Sequence, residues 1–212
     1  MRRTAILALA LAGAGAGAAL AQAPARNAPA QLWPTRDVAV TYTVRGGGQA
    51  PRTVPAAWLA AEQRLRVEPP EAPGWVLVDV PRGQALMVMD SVRTAMQLPE
   101  EQKLPLAQGL PPGTRMTRAG SDTVAGHRCD NWQVSGPEGQ GTVCLTPDGV
   151  LLRAQGSREG RQGSLEATAI SYARQDPARF RLPAEYRSVT LPPGLLKNLP
   201  PGLAQNIPGL SR

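Results

Sequence analysis

From residue 38 the chain alternates. Val38, Val40, Tyr42 and Val44 are separated by Ala39, Thr41 and Thr43, the period of two that turns one face of a strand inward and the other outward. Arg45 and the glycines at 46–48 end that run. A second strand is expected over 53–59, although residues 56–63 (AAWLAAEQ) also have helical propensity. Pro55 would then stand at an edge or a bulge, because it cannot donate to a ladder. Residues 64–67 (RLRV) alternate charged and apolar side chains, and 75–80 (WVLVDV) form an apolar run between turns at 73–74 and 81–83. Both read as strands.

Residues 85–90 (ALMVMD) are apolar on both faces, with Leu86 and Val88 on one and Met87 and Met89 on the other. A strand patterned this way is covered on both sides. One cover reads as a helix; the other is either ordinary core or an adaptable apolar pocket, which unbranched, polarizable Met suits. Trp33, Trp58, Trp75 and Trp132 divide likewise between core packing and cavity lining. Trp58, Trp75, Met87 and Met89 are therefore the candidate ligand-cavity residues. Residues 90–93 should turn the chain into 94–98.

Residues 99–109 (PEEQKLPLAQG) have the best short-helix composition, which Pro105 limits to a turn or two. Strand patterning returns after 111–113. Residues 128–134 and 141–145 flank a Gly- and Pro-containing loop, and 146–149 (TPDG) is a type I turn leading into 150–155. This makes a three-strand meander. A further strand over 165–174 follows a polar, Gly-rich loop at 156–163. A hairpin turn centred between Gly136 and Pro137 brings Cys129 opposite Cys144, near enough for a disulfide. Such a bridge closes a loop of about 15 residues and stabilises by roughly 3 kcal/mol. A redox role lacks the C-x-x-C spacing that lowers a thiol pKa.

The first residues carry a different signal. Arg2 and Arg3 precede an apolar run at 5–12 (AILALALA), and a small-residue stretch ends in Ala-Leu-Ala at 19–21. This is the pattern of a secretory signal peptide over 1–21, cleaved between Ala21 and Gln22. The apolar run is shorter than a bilayer requires, so no membrane span remains after its removal. No Cys lies near the cleavage point, so no lipid anchor is expected there. Residues 22–36, rich in Pro and Ala, read as an extended arm, and 37–190 as one β-rich domain. Residues 191–212 hold a Pro-Gly-Leu pseudo-repeat of period eight, too short for a solenoid. That tail reads as loosely ordered, or as a segment that docks on a membrane or partner.

Composition narrows the function classes. The chain has 212 residues, 42% hydrophobic and 18% charged, with 22 Gly and 22 Pro, a size suited to one domain. Loss of 1–21 leaves 191 residues and lowers the net charge from +7 to +5. Nearly all the basic residues are Arg, scattered without a stripe or aromatic platform, so nucleic acid is not an expected partner. An anionic membrane surface remains one. One His and two Cys exclude most zinc sites. His127 has no second His near it, and no Gly-x-Ser-x-Gly, His-Glu-x-x-His or P-loop pattern occurs, so no catalytic, cofactor or metal site is expected. His127 itself reads as a loop or strand-edge residue.

The segments TVAGHRCDNWQV (123–134), CLTPDGVLLR (144–153) and FRLPAEY (180–186) together resemble a family of exported bacterial proteins of unknown function. These proteins are similar in architecture to the periplasmic lipoprotein carriers LolA and LolB. The resemblance covers about residues 37–190. It implies a mainly β (α+β) fold, with a curved antiparallel sheet, or incomplete β-barrel, whose concave face is covered by short helices. It also implies a periplasmic protein without enzymatic activity, whose half-barrel cavity receives a lipid acyl chain, a lipoprotein or another apolar ligand. The alternative is a protein-interaction module of the envelope, using the sheet edge or the tail.

Overall fold

The computed structural model describes residues 28–190 except 47, 71, 99–109, 111, 138 and 159. The signal peptide expected at 1–21, the expected Ala21–Gln22 cleavage point, the helix expected at 99–109 and the tail at 191–212 lie outside the described residues.

Among the described residues, twelve strands form one sheet. They are β1 (Val38–Gly46), β2 (Gln49–Leu59), β3 (Arg64–Val67), β4 (Trp75–Asp79), β5 (Gln84–Met89), β6 (Thr94–Gln97), β7 (Arg115–Val124), β8 (His127–Gly136), β9 (Gly139–Leu145), β10 (Leu151–Arg158), β11 (Arg161–Ser171) and β12 (Arg187–Thr190). Their order is β12-β6-β5-β4-β3-β2-β1-β11-β10-β9-β8-β7, so the sheet is curved and does not close. Short turns make sequential strands neighbours within two meanders, and pairing of β1 with β11 joins the meanders. Every pair is antiparallel except β12 with β6, which is parallel. The sheet is therefore mixed where an antiparallel one was expected. Among the described residues the helical content is three single 3-10 turns, Ala60–Glu62, Asp90–Val92 and Pro177–Phe180.

The first two of these turns make matching corners. Each links two antiparallel strands through four residues and ends on a non-glycine residue in left-handed conformation, Gln63 (φ 49°) and Arg93 (φ 48°). Pro55 sits where β2 outruns its shorter neighbour. It pairs with Thr41 on β1, while its carbonyl accepts from the Glu68 amide just past the end of β3. In a strand the N and O of one residue point to the same side, so the missing N–H faces that local edge and breaks no ladder bond.

Three segments depart from the sequence expectation. The strand expected over 53–59 begins at Gln49. The loop expected at 156–163 is instead the end of the β10–β11 hairpin, paired out to Arg158↔Arg161. The β8–β9 hairpin pairs Gly136 with Gly139, so its centre lies one residue later than the expected 136/137 point. That moves the partner of Cys144 by two, from Cys129 to Asn131. The Cys129–Cys144 disulfide forms all the same, because a shift of two preserves the face of the sheet; it runs diagonally, with a Cα–Cα distance of 5.4 Å.

Both faces of the sheet carry core. In β2, Ala57, Trp58 and Leu59 are all buried, and adjacent strand residues point to opposite faces. Trp58 belongs to a cluster with Val38, Val40, Leu152 and Ala167, while Ala57 and Leu59 belong to one with Trp75, Leu77, Val88, Ala95 and Phe180. Each cluster has a cover from outside the sheet. Trp33 packs on the first, and Leu32 on a neighbouring cluster of Met116, Trp132 and Leu145. Phe180 packs on the second.

Candidate functional site: an arginine-rimmed cleft beneath the Phe180 turn

Register places three rows of side chains on one face of β3, β4 and β5. Arg64, Asp79 and Gln84 stand side by side, then Arg66, Leu77 and Leu86, then Trp75 with Val88. The 3-10 turn Pro177–Phe180 lies over them. Its start follows from local chemistry: Pro177 suits the first helical position, and the Asp176 carboxylate accepts from the Ala178 amide at 2.9 Å. Phe180, the only Phe in the chain, is fully buried against the sheet.

Arginines tie the turn down. The Arg64 guanidinium donates to the Phe180 carbonyl at 3.2 Å, to Glu62 at 2.6 Å and to Asp79 Oδ2 at 3.1 Å. Arg66 lies 3.6 Å over the Trp75 ring and donates to the Arg179 carbonyl at 2.8 Å, so it covers an indole face and anchors the turn at once. Glu68 receives both Arg66 and Arg179. Burial pushes the Glu68 carboxyl up, but these two guanidiniums outweigh it and hold the group below its usual range. Asp79 behaves alike: burial raises it, while hydrogen bonds from Arg82 and Arg64 bring it below the usual carboxylate range.

Beside the turn is a cleft of about 530 Å³, lined by Leu77, Leu86, Phe180 and Leu182 and by the charged groups of Glu62, Arg64, Asp79, Arg82 and Arg181. The geometry is that of an apolar floor under a guanidinium rim. Arg82 and Arg181 point to solvent, with about two thirds of each side chain exposed, while Arg64 is mostly covered. Such a cleft can take a hydrocarbon segment below and a polar or anionic group above.

The residues singled out from the sequence fall in different places. Trp75 lies on the cleft's face, packed with Phe180 and roofed by Arg66. Trp58 lies on the opposite face, where its indole stacks on Trp33 at 5.0 Å and donates to the Pro34 carbonyl at 2.7 Å. Met87, buried, opposes Val76 and Met96, and half-buried Met89 opposes Thr94. Alternation along β5 aims both methionines away from Leu86 and the cleft. His127 opens β8 and meets the edge of Tyr172 at 5.6 Å. Among the described residues no group of three His, Cys, Asp or Glu could hold a metal ion, and no helix is long and apolar enough to cross a membrane.

Sequence reasoning missed the rim. Its signals were present in the charged alternation of 64–67 and in the FRLPAEY segment, which supplies Phe180, Arg181 and Leu182. What the sequence did not show was that this segment folds back onto β3–β5.

No protein-family model matches the chain, and no curated protein matches it. Solved structures do. An uncharacterized conserved protein from Thermus thermophilus is similar at 12% identity and a TM-score of 0.52, over 74% of this chain and 91% of that one. MucB is similar at 14% identity and a TM-score of 0.53, over 77% of this chain; the chain spans 65% of MucB, just under two thirds of its length. A LolA superfamily protein from Nitrosomonas europaea also matches, at 10% identity and a TM-score of 0.36, over 70% of this chain and 91% of that one. At these identities the likeness is one of fold, and the chain is a mainly β protein whose curved, unclosed sheet is similar to that of MucB and the Thermus protein.

Proposed function

We propose that this is a non-enzymatic protein of the bacterial envelope, exported to the periplasm, that holds the acyl chain of a lipid or lipoprotein in the cleft beneath Phe180. The observation that carries the reading is the cleft itself, whose four apolar side chains lie under Arg64, Arg82 and Arg181. Its volume falls within the usual range of small-ligand sites, roughly 300–1,000 Å³. Export is supported by the N-terminal pattern and by the disulfide, a bond that persists in oxidising compartments. Trp75, which borders the floor, is the reporter of occupancy.

The test is organic extraction and mass spectrometry of protein purified from periplasm, together with titration of a fluorescent fatty-acid probe. Recovered acyl species and saturable probe binding, lost in Leu86→Glu, are expected. A clean protein that binds no probe sinks the proposal.

A second reading, a protein-interaction module, is favoured by one observation. β7, ten residues long, ends the sheet with a ladder partner on one side only among the described residues, and such an edge can accept a partner's strand. Deletion of 191–212 separates the edge from the tail: if every co-purifying partner is retained, the tail plays no part.

A further inference from the structure

The far end of the β1 and β7–β11 half holds a second concavity, larger than the cleft, of about 940 Å³. Its lining is built by register. Thr117, Gln133, Thr142, Gln155, Ser164 and Arg45 stand side by side across six adjacent strands. Two residues further along each of β7–β11, on the same face, a second row runs from Arg115 through serines and glutamines. Between the rows the other face carries glycines in register, Gly141, Gly156, Gly163 and Gly46. At two of them the strands leave little room for a side chain: a Cβ on Gly141 would lie 2.4 Å from the Gln155 carbonyl oxygen, and one on Gly156 3.0 Å from that of Gln140. The Gly-rich 156–163 segment thus shapes a trough.

The trough's chemistry differs from that of the rest of the sheet. Several arginines elsewhere on the sheet are matched to carboxylates, as Arg118 is to Asp130 and Arg153 to Asp122 and Glu166. Among the described residues the trough is lined by no carboxylate, and none of the side chains in its first row has a hydrogen bond or ion pair. Arg45 lines one end, Arg115 stands opposite Ser135 just beyond the other, and neither has an ion pair among the described residues.

We propose that this trough binds an extended acidic oligosaccharide. Amides and hydroxyls both donate and accept, as sugar hydroxyls do, and an acyl chain would leave them unpaired. One guanidinium in the trough and one beside it, with no carboxylate among the described lining residues, set the preferred sign as negative and disfavour amino sugars. Adjacent strands lie about 4.8 Å apart, so the polar groups recur at about the length of one sugar unit. The six-strand row spans roughly 24 Å, room for a chain several units long lying across the strands. Among the described residues no aromatic side chain lines the trough, so affinity rests on hydrogen bonds and charge. This site is separate from the cleft, and its fate does not depend on the acyl-chain reading.

The experiment is an amide-resolved NMR titration of the full chain with a galacturonic acid hexamer, using N-acetylglucosamine and glucosamine hexamers as neutral and cationic comparators. Shifts at residues 133–142 and 155–164 are expected, with the acidic hexamer binding more tightly than the neutral one and the cationic one not binding. The pair Gln133→Ala and Gln155→Ala should weaken the acidic hexamer about tenfold, and Arg45→Ala with Arg115→Ala should abolish its advantage over the neutral one. These side chains are exposed, so an unchanged melting temperature checks that the fold is kept. The proposal is overturned if the acidic hexamer produces no shifts at about 1 mM, if the shifts map to the Phe180 cleft, or if the substitutions leave the titration unchanged.

Discussion

Phe180→Ala tests whether the 3-10 turn docks on the sheet. The ring is fully buried and packs with Ala57, Leu59, Trp75, Leu77, Val88 and Ala95. Truncating a buried Phe costs about 3–5 kcal/mol, the loss of transfer energy plus the cavity left behind. Little collapse is expected here, because the backbone above the hole is pinned by Arg64 on the Phe180 carbonyl and Arg66 on the Arg179 carbonyl. The upper half of that range therefore applies. With a urea m-value of about 2 kcal/mol/M, the unfolding midpoint should fall by roughly 2 M. Phe180→Leu, which keeps most of the volume, should lose much less. Equilibrium urea unfolding followed by tryptophan fluorescence reads both. A loss below about 1 kcal/mol for the alanine variant would refute the reasoning, because a fully buried, pinned ring cannot be removed so cheaply.

Other expectations follow from the same contacts. Reduction of Cys129–Cys144, a bridge between residues 15 apart, should lower stability by about 3 kcal/mol, read as the midpoint difference with and without dithiothreitol. Trp33→Ala removes the stack on Trp58, a contact contributing about 0.5–1.5 kcal/mol beyond its buried area, and should raise acrylamide quenching of Trp58. Asp79 has a folded pKa below its unfolded value. Its contribution is therefore present above the unfolded pKa and lost as pH falls through the folded one. Asp79→Asn should accordingly be less stable at pH 7 and show a shallower acid limb, measured as melting temperature against pH. Gln63→Gly and Arg93→Gly relieve left-handed backbone at the two matching corners and should each be neutral to stabilising by up to about 1 kcal/mol, whereas β-branched replacements there should destabilise.

The parts of the fold legible in the sequence are those set by local alternation. β1, β4, β5 and β6 stand within a residue or two of their patterned runs, and the two-sided burial of β5 follows from its lack of a polar face. Glycine misled at 156–163: Gly156 marks close approach of paired strands and Gly160, at φ 76°, turns a hairpin paired almost to its tip, instead of the segment forming an open loop. The exposed residues of β12 carry no apolar pattern, and its partner β6 lies more than 80 residues back, so nothing local announced that pairing. The cleft was half legible. Arg64 and Arg66 were visible as an alternating charged pair, and Phe180 as part of a resembling segment, but only long-range folding brings them together. Trp58 read as core, with cavity lining as the alternative, because its stacking partner comes from the arm that precedes the patterned chain.

The seam between β1 and β11 has a kinetic consequence. It joins residues 39–46 to residues 163–171, roughly 120 positions apart, so the sheet cannot be completed until nearly the whole chain is available. Loops of that length close slowly, and topologies dominated by distant pairings fold in milliseconds to seconds instead of microseconds. The β7–β11 hairpins can assemble from near neighbours, whereas the strand emerging first must wait longest for its mate.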